Sequence, residues 1–198
     1  LTLQFIGEYR PHPELPNLWG LHGIRLEEFD LTGLPVVHPS LKELRLWGAP
    51  GNLRNFSAVA QFRELTDLST FDLFGFDAAD IPTPEQMPKL HWFWMTSLPE
   101  YAAKAAKQLW KGKPGMDLRI TKSRKPEWLA QNLDNPFRGW DGAEHIPASA
   151  AKKAADQYRK TRSQMMKLAA EPDGDAQTQA LEAVAAYTQT FNKMGFIE

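Results

Sequence analysis

The chain has 198 residues, 42% of them hydrophobic and 24% charged, enough for a buried core in one elongated domain or two small ones, and this excludes a disordered chain. Lys and Arg number 23 against 24 Asp and Glu, a formal charge of -1, so no global electrostatic pull toward nucleic acid or anionic lipid is implied. The absence of cysteine excludes disulfides, thiolate metal ligands and a cysteine nucleophile, and leaves the redox compartment open.

The opening LTLQFIGEYRPHPELPNLWG lacks the basic start and apolar run of a signal peptide, and no stretch approaches the ~18 apolar residues of a membrane span. The chain therefore reads as soluble, with the cytoplasm as the default compartment. It begins on Leu1 and stops at FNKMGFIE, directly after a helical pattern, and so reads as a trimmed piece of something longer.

Along the first two thirds the pattern apolar-x-x-apolar-x-apolar recurs as Leu26/Phe29/Leu31, Leu41/Leu44/Leu46, Leu68/Phe71/Leu73 and Leu90/Phe93/Met95. A degenerate fifth copy is Leu118/Ile120, with Gly115 in the first place. The copies start at 26, 41, 68, 90 and 115, with spacings of 15, 27, 22 and 25. Apolar residues two apart share one face of a strand, so five strands are expected to lie side by side in a parallel sheet. Between them, NLRNFSAVAQFREL and LPEYAAKAAKQLWKG are expected to form an outer layer. The second has Tyr101, Ala105, Leu109 and Trp110 at helical spacing between Pro99 and Gly112. IPTPEQMPKL, with three prolines, reads as a loop.

From Lys125 the strand pattern stops and three helical pieces follow. The first covers about 126 to 134, with Trp128 and Leu129 as packing residues, and leads into the loop DNPFRGWDG. The second, about 147 to 170, has Ala151, Ala155, Tyr158, Met165, Met166 and Ala169 as its apolar stripe and a basic opposite face. The third, about 174 to 194, is capped by Asp175 and shows Leu181, Val184, Ala185 and Phe191 as its stripe. Two antiparallel helices joined by a short loop are the natural arrangement.

On these motifs, roughly residues 17 to 123 resemble the leucine-rich-repeat family, whose units run ~20 to 29 residues and bury their apolar strand positions in a solenoid core. The resemblance implies an α/β fold: an irregular leucine-rich-repeat-like domain over 1–124 with about five short repeats, followed by a helical segment over 125–198. Where that family carries an Asn after the strand, this chain has Leu34, Ala49, Phe76, Leu98 and Ser123, which implies irregular turns. The tail, with EWLAQNLDNPFRGWDG, HIPASAAKKAADQYRKTR and YTQTFNKMGFIE, resembles that of a poorly characterised group of bacterial proteins. Some of that group look like immunity partners of bacterial toxins, so the resemblance implies a toxin-neutralising binder as an alternative.

If the apolar positions face inward, the residues beside them form three outward columns. These are Glu28, Glu43, Thr70, Trp92 and Asp117; Asp30, Arg45, Asp72, Trp94 and Arg119; and Thr32, Trp47, Phe74, Thr96 and Thr121. Trp47, Phe74, Trp92 and Trp94, rimmed by Glu43, Arg45, Asp72 and Arg119, have the anatomy of a protein-binding hot spot. A one-residue slip of HWFWM, or a tail folded over these rings, would bury them instead.

Catalytic text is lacking: there is no HExxH, no phosphate-cradling glycine loop and no GxSxG. His12, His22, His38, His91 and His145 are scattered without ligand spacing, and Asp173 and Asp175 lack the offsets of a calcium loop. The loop with Arg138, Trp140 and Asp141 is the one place where an unrecognised site is kept open. The expectation is a protein-binding module, not an enzyme, with no cofactor or metal, no nucleic acid and no membrane, and with another protein as its partner, a bacterial toxin in the alternative that the resemblance implies.

Overall fold

The structure, a computed structural model, describes residues 1–133, 135–140, 143–170 and 174–195. Six strands lie side by side in chain order in one all-parallel sheet: β1 (Thr2–Ile6), β2 (Gly20–Asp30), β3 (Glu43–Arg54), β4 (Asp67–Phe74), β5 (Trp92–Thr96) and β6 (Asp117–Thr121). Parallel neighbours need a crossover between every pair. Here the crossovers are short: α1 (Leu34–Val37), 3-10 turns at Phe56–Gln61 and Ala78–Asp80, and α2 (Glu100–Trp110). The parallel sheet is as expected, and β1 is an additional strand.

The register corrects two of the expected copies. Leu3, Leu21, Leu44, Leu68, Phe93 and Leu118 stand level across the sheet, at successive steps of 18, 23, 24, 25 and 25 residues. Two residues on, Phe5, Gly23, Leu46, Thr70, Met95 and Ile120 form the next inward row. Three residues before the first row, Leu18, Leu41, Leu65 and Leu90 are fully buried. The copies in β2 and β4 therefore begin at Leu18 and Leu65, not at Leu26 and Leu68. The confusion has a physical source. β2 and β3 run on past a register shift, and Leu26, Phe29, Leu53 and Leu73 beyond it are buried too, a second inward set that imitates the first.

What ends the level part of each strand is a backbone device. Gly7, Arg25, Asp72, Ser97 and Lys122, each the next residue after Ile6, Ile24, Phe71, Thr96 and Thr121, all have positive φ, between 50 and 73°. A left-handed residue there turns the chain out of the ladder. β3 instead carries the shift between Trp47 and Gly51. A Cβ at Gly51 would run into the Leu26 carbonyl oxygen, so glycine alone permits that approach.

The layer behind the sheet closes the core. Phe56 stacks on Phe76 at 4.6 Å and Phe93 meets Trp110 edge-on at 5.4 Å. The Trp110 indole donates to the Pro82 carbonyl at 2.9 Å. In α2, with Pro99 at its N-cap, Ala102, Ala103, Ala106 and Trp110 face inward. Of the spaced set expected there, Tyr101 and Leu109 turn out exposed. His38 is a buried polar residue in a turn where the corresponding residues are Phe62 and Met87. Its Nδ1–H donates to the Leu15 carbonyl at 3.1 Å and its Nε2 accepts from the Tyr9 hydroxyl at 2.5 Å. Both ring nitrogens are thus satisfied, which is the condition for burying them cheaply. Burial holds the His38 pKa below its ordinary value and pushes that of Tyr9 up.

The chain divides into two compact units, Leu1–Pro126 and Glu127–Glu198. The second holds the rest of α3 (Pro126–Asn132), a 3-10 turn at Arg138–Trp140, α4 (Ala148–Ala170) and α5 (Ala176–Asn192). The Thr190 hydroxyl bonds Gln157 Oε1 at 3.4 Å, tying the C-terminal part of α5 to the N-terminal half of α4 as an antiparallel pair. Its seam is built from small residues, Ala151, Ala154 and Ala183, with Tyr158, Tyr187 and Phe191 beside them. Of the two expected stripes Ala151 and Phe191 are buried and Tyr158 is half-buried, whereas Met165, Met166, Ala169, Leu181, Val184 and Ala185 are exposed. Phe137 stacks on Phe191 at 4.6 Å and lies 5.0 Å from Trp140, so the loop's aromatics pack within this unit. Asp175 occupies the α5 N-cap without a side-chain capping bond. No described helix is long and apolar enough to cross a membrane.

Candidate functional site: the outward face of the sheet

On the face opposite the core, the register brings three rows together. They are Gly20, Glu43, Asp67, Trp92 and Asp117; His22, Arg45, Ser69, Trp94 and Arg119; and Ile24, Trp47, Phe71, Thr96 and Thr121. On β3, β5 and β6 these are the residues expected from the sequence. On β4 they are not. Phe74 is only 3% exposed and so offers no free surface, while Phe71, 44% exposed, stands beside Trp47, 43% exposed. Thr70 is likewise buried, and Asp72 sits in the left-handed turn after the row. Glu28, Asp30 and Thr32 lie past the β2 shift. There Asp30 accepts from Asn55 and Thr32, and those bonds hold its carboxyl at about 2. Numbering the copies from Leu65 would have placed Phe71 on this face.

Trp47, Phe71, Trp92 and Trp94, with Arg45, Ser69, Thr70 and Thr96, line a cleft of about 430 Å³. Its size lies in the range of binding pockets, and its walls are mainly aromatic. The two β5 indoles lie 4.3 Å apart at 34°. They project outward because Phe93 and Met95, on alternate positions, fill the core. Each is braced by a cation: the Arg45 guanidinium lies 5.3 Å from the Trp92 ring centre and that of Arg119 lies 3.9 Å from Trp94.

The guanidiniums are themselves held. Arg45 pairs with Glu43, whose other oxygen lies 3.0 Å from His22 Nε2, and Arg119 pairs with Asp117 at 3.1 Å. Glu43 is nearly buried at 6% exposure, and the Arg45 guanidinium paired with it answers its desolvation. The charged rows thus neutralise one another along and across strands and keep the rings in fixed poses. A smaller hollow of about 60 Å³, lined by Gln4, His22, Gly23, Ile24, Arg45 and Trp47, extends the same face toward β1.

In the second unit, Trp128, Asn132, Asn135, Phe137, Arg138, Lys152 and Arg159 line a cleft of about 250 Å³. Arg138 lies 5.6 Å from the Trp128 ring centre and Arg159 pairs with Asp156. Asp141 and Asp173, noted in the sequence, lie outside the described residues. Among the described residues no three His, Asp or Glu side chains gather as a metal site. Comparison of the chain with protein-family models, with curated proteins and with solved structures finds no match in any of the three.

Proposed function

We propose that the chain is a non-catalytic protein-interaction module, a leucine-rich-repeat-like solenoid that docks a partner protein on its outward sheet face. The observation that carries this reading is the cleft of Trp47, Phe71, Trp92 and Trp94, exposed on a rigid sheet and braced by paired charges. Half-exposed aromatics cost a soluble protein solubility, and grouped in one place they are what binding hot spots are made of. Bracing lowers the ordering entropy that docking would otherwise cost. The solenoid reading rests on the near-constant 23 to 25 residue step from β2 to β6 and on the recurring left-handed residue.

The test is affinity capture from native cell extract with tagged wild-type protein and with a Trp47→Ala/Trp92→Ala variant, followed by mass spectrometry. A dominant protein retained by the wild type and lost by the folded variant is the expected result. A bacterial toxin domain in that place would specialise the module as an immunity-type inhibitor. A partner captured equally by both proteins would remove the sheet face from the reading.

A further inference from the structure

We infer that the segment received by the aromatic cleft is an extended, uncharged, proline-rich stretch of the partner protein, an inference that rests on the docking function proposed above. Three properties of the lining select it.

Charge is the first. The acidic side chains Glu43, Asp67 and Asp117 run in one row along the cleft's border and disfavour an anionic group. A cation already lies over each β5 ring, Arg45 on Trp92 and Arg119 on Trp94. Glu43 and Asp117 are paired with Arg45 and Arg119, and Asp67 accepts from the Thr66 hydroxyl, so the charges bordering the cleft are answered from within the sheet and favour an uncharged occupant.

Hydrogen-bond polarity is the second. Trp94 Nε1 and Arg45 Nε are buried donors with no acceptor among the described residues. His22 Nε2 also lacks a well-directed bond but lies 3.0 Å from the Glu43 carboxylate. No buried side-chain oxygen of the lining lacks a donor. The lining thus holds two unanswered donors, Trp94 Nε1 and Arg45 Nε, which an incoming acceptor would satisfy. A segment rich in proline brings carbonyls without N–H groups, whereas an ordinary peptide brings one N–H per residue and a sugar brings a donor with every hydroxyl. A buried donor left without an acceptor is destabilising, so an incoming carbonyl recovers that loss.

Shape is the third. Trp47, Phe71, Trp92 and Trp94 come from three adjacent strands and present flat faces with gaps between them. Aromatic ridges of this kind seat pyrrolidine rings of a polyproline II helix, which is already extended in solution and loses little entropy on docking.

The experiment follows the indole N–H signals of the full chain by two-dimensional NMR during titration with three probes. These are a decaproline peptide, an uncharged peptide of equal length with alanine and serine in place of proline, and a linear glucose oligosaccharide. Decaproline is expected to move the Trp47, Trp92 and Trp94 signals saturably, and the other two are not. Trp94→Phe keeps a ring and removes the donor. It should weaken decaproline binding by about three- to tenfold, the range of one hydrogen bond, with the melting temperature unchanged. Trp47→Ala should weaken it by about tenfold or more. Absence of a saturable shift with decaproline overturns the inference, as does an equal response to the alanine–serine peptide or the oligosaccharide. A captured partner that needs Trp47 and Trp92 yet carries no proline-rich segment sinks this inference and leaves the docking function standing. A partner indifferent to both residues sinks the two together.

Discussion

The two faces of one sheet are built by the same six strands and obey different rules. Inward, the rows are filled by Leu, Ile, Met and Phe with a single Thr and a single Gly, residues nearly interchangeable because the interior asks only for apolar volume. Outward, no two strands carry the same set: β3 offers Glu43, Arg45 and Trp47, while β5 offers Trp92, Trp94 and Thr96. Repetition inside sets the fold, and variation outside is what the proposed docking function would use. Three tryptophans and a phenylalanine in the middle, with a cation over each of Trp92 and Trp94, are more than solubility asks of such a face.

That contrast breaks most visibly if an inward residue is removed. Phe93→Ala leaves a cavity among Leu68, Leu118 and Trp110 and should cost about 3 to 5 kcal/mol in denaturant unfolding. Binding should then fall only as far as the folded fraction does. Trp92→Ala/Trp94→Ala reverses the pattern: partner affinity should drop by more than ~2 kcal/mol in calorimetry, with a modest loss of stability. If that pair unfolds the protein instead, the two faces are not separable in function.

Smaller effects sharpen the comparison. Arg119→Gln removes the cation over Trp94 and the pair with Asp117, and should weaken binding by about 0.5 to 1 kcal/mol without altering the melting temperature. His38 tests the polar exception inside the first unit. Its folded pKa lies below the ordinary 6.5, so the unfolded chain takes up the proton first on acidification. Stability from this group is complete above 6.5 and declines as pH falls from there toward the depressed folded value. The groups around it act in both directions, His12 lowering and Glu14 raising the value, and burial dominates. A His38→Phe variant should show a flatter unfolding profile between pH 7.5 and 5 than the wild type, the smallest of these effects.

How much of this was legible in the sequence differs strand by strand. β3 and β5 were readable because Leu41/Leu44/Leu46 and Leu90/Phe93/Met95 show the whole apolar triple. β2 and β4 were not, because Gly23 and Thr70 stand where the third apolar residue belongs, and Leu26 or Leu73 downstream offers a false alternative. β1 escaped because the position three before Leu3 precedes Leu1. The outward rows followed the register: Glu43, Arg45, Trp47, Trp92, Trp94 and Arg119 lie on them as read, Glu43 nearly buried, and Phe71 stands in the place read for Phe74 because the β4 copy was counted from three residues too late. In the helical pair the ends were legible from proline and composition. The facing sides were legible in part: Ala151, Tyr158 and Phe191 were read onto them, while Met165, Leu181 and Val184, which carry more hydrophobic signal than alanine, are exposed.

The most direct test of the outward face as a recognition surface is a paired measurement on Trp47→Ala/Trp92→Ala: affinity for the captured partner and free energy of unfolding, in the same buffer. The account predicts an affinity loss of about a hundredfold, near 2.7 kcal/mol, with unfolding changed by less than ~1.5 kcal/mol. Unchanged affinity in a folded variant, or a loss no larger than the unfolded fraction explains, would contradict it.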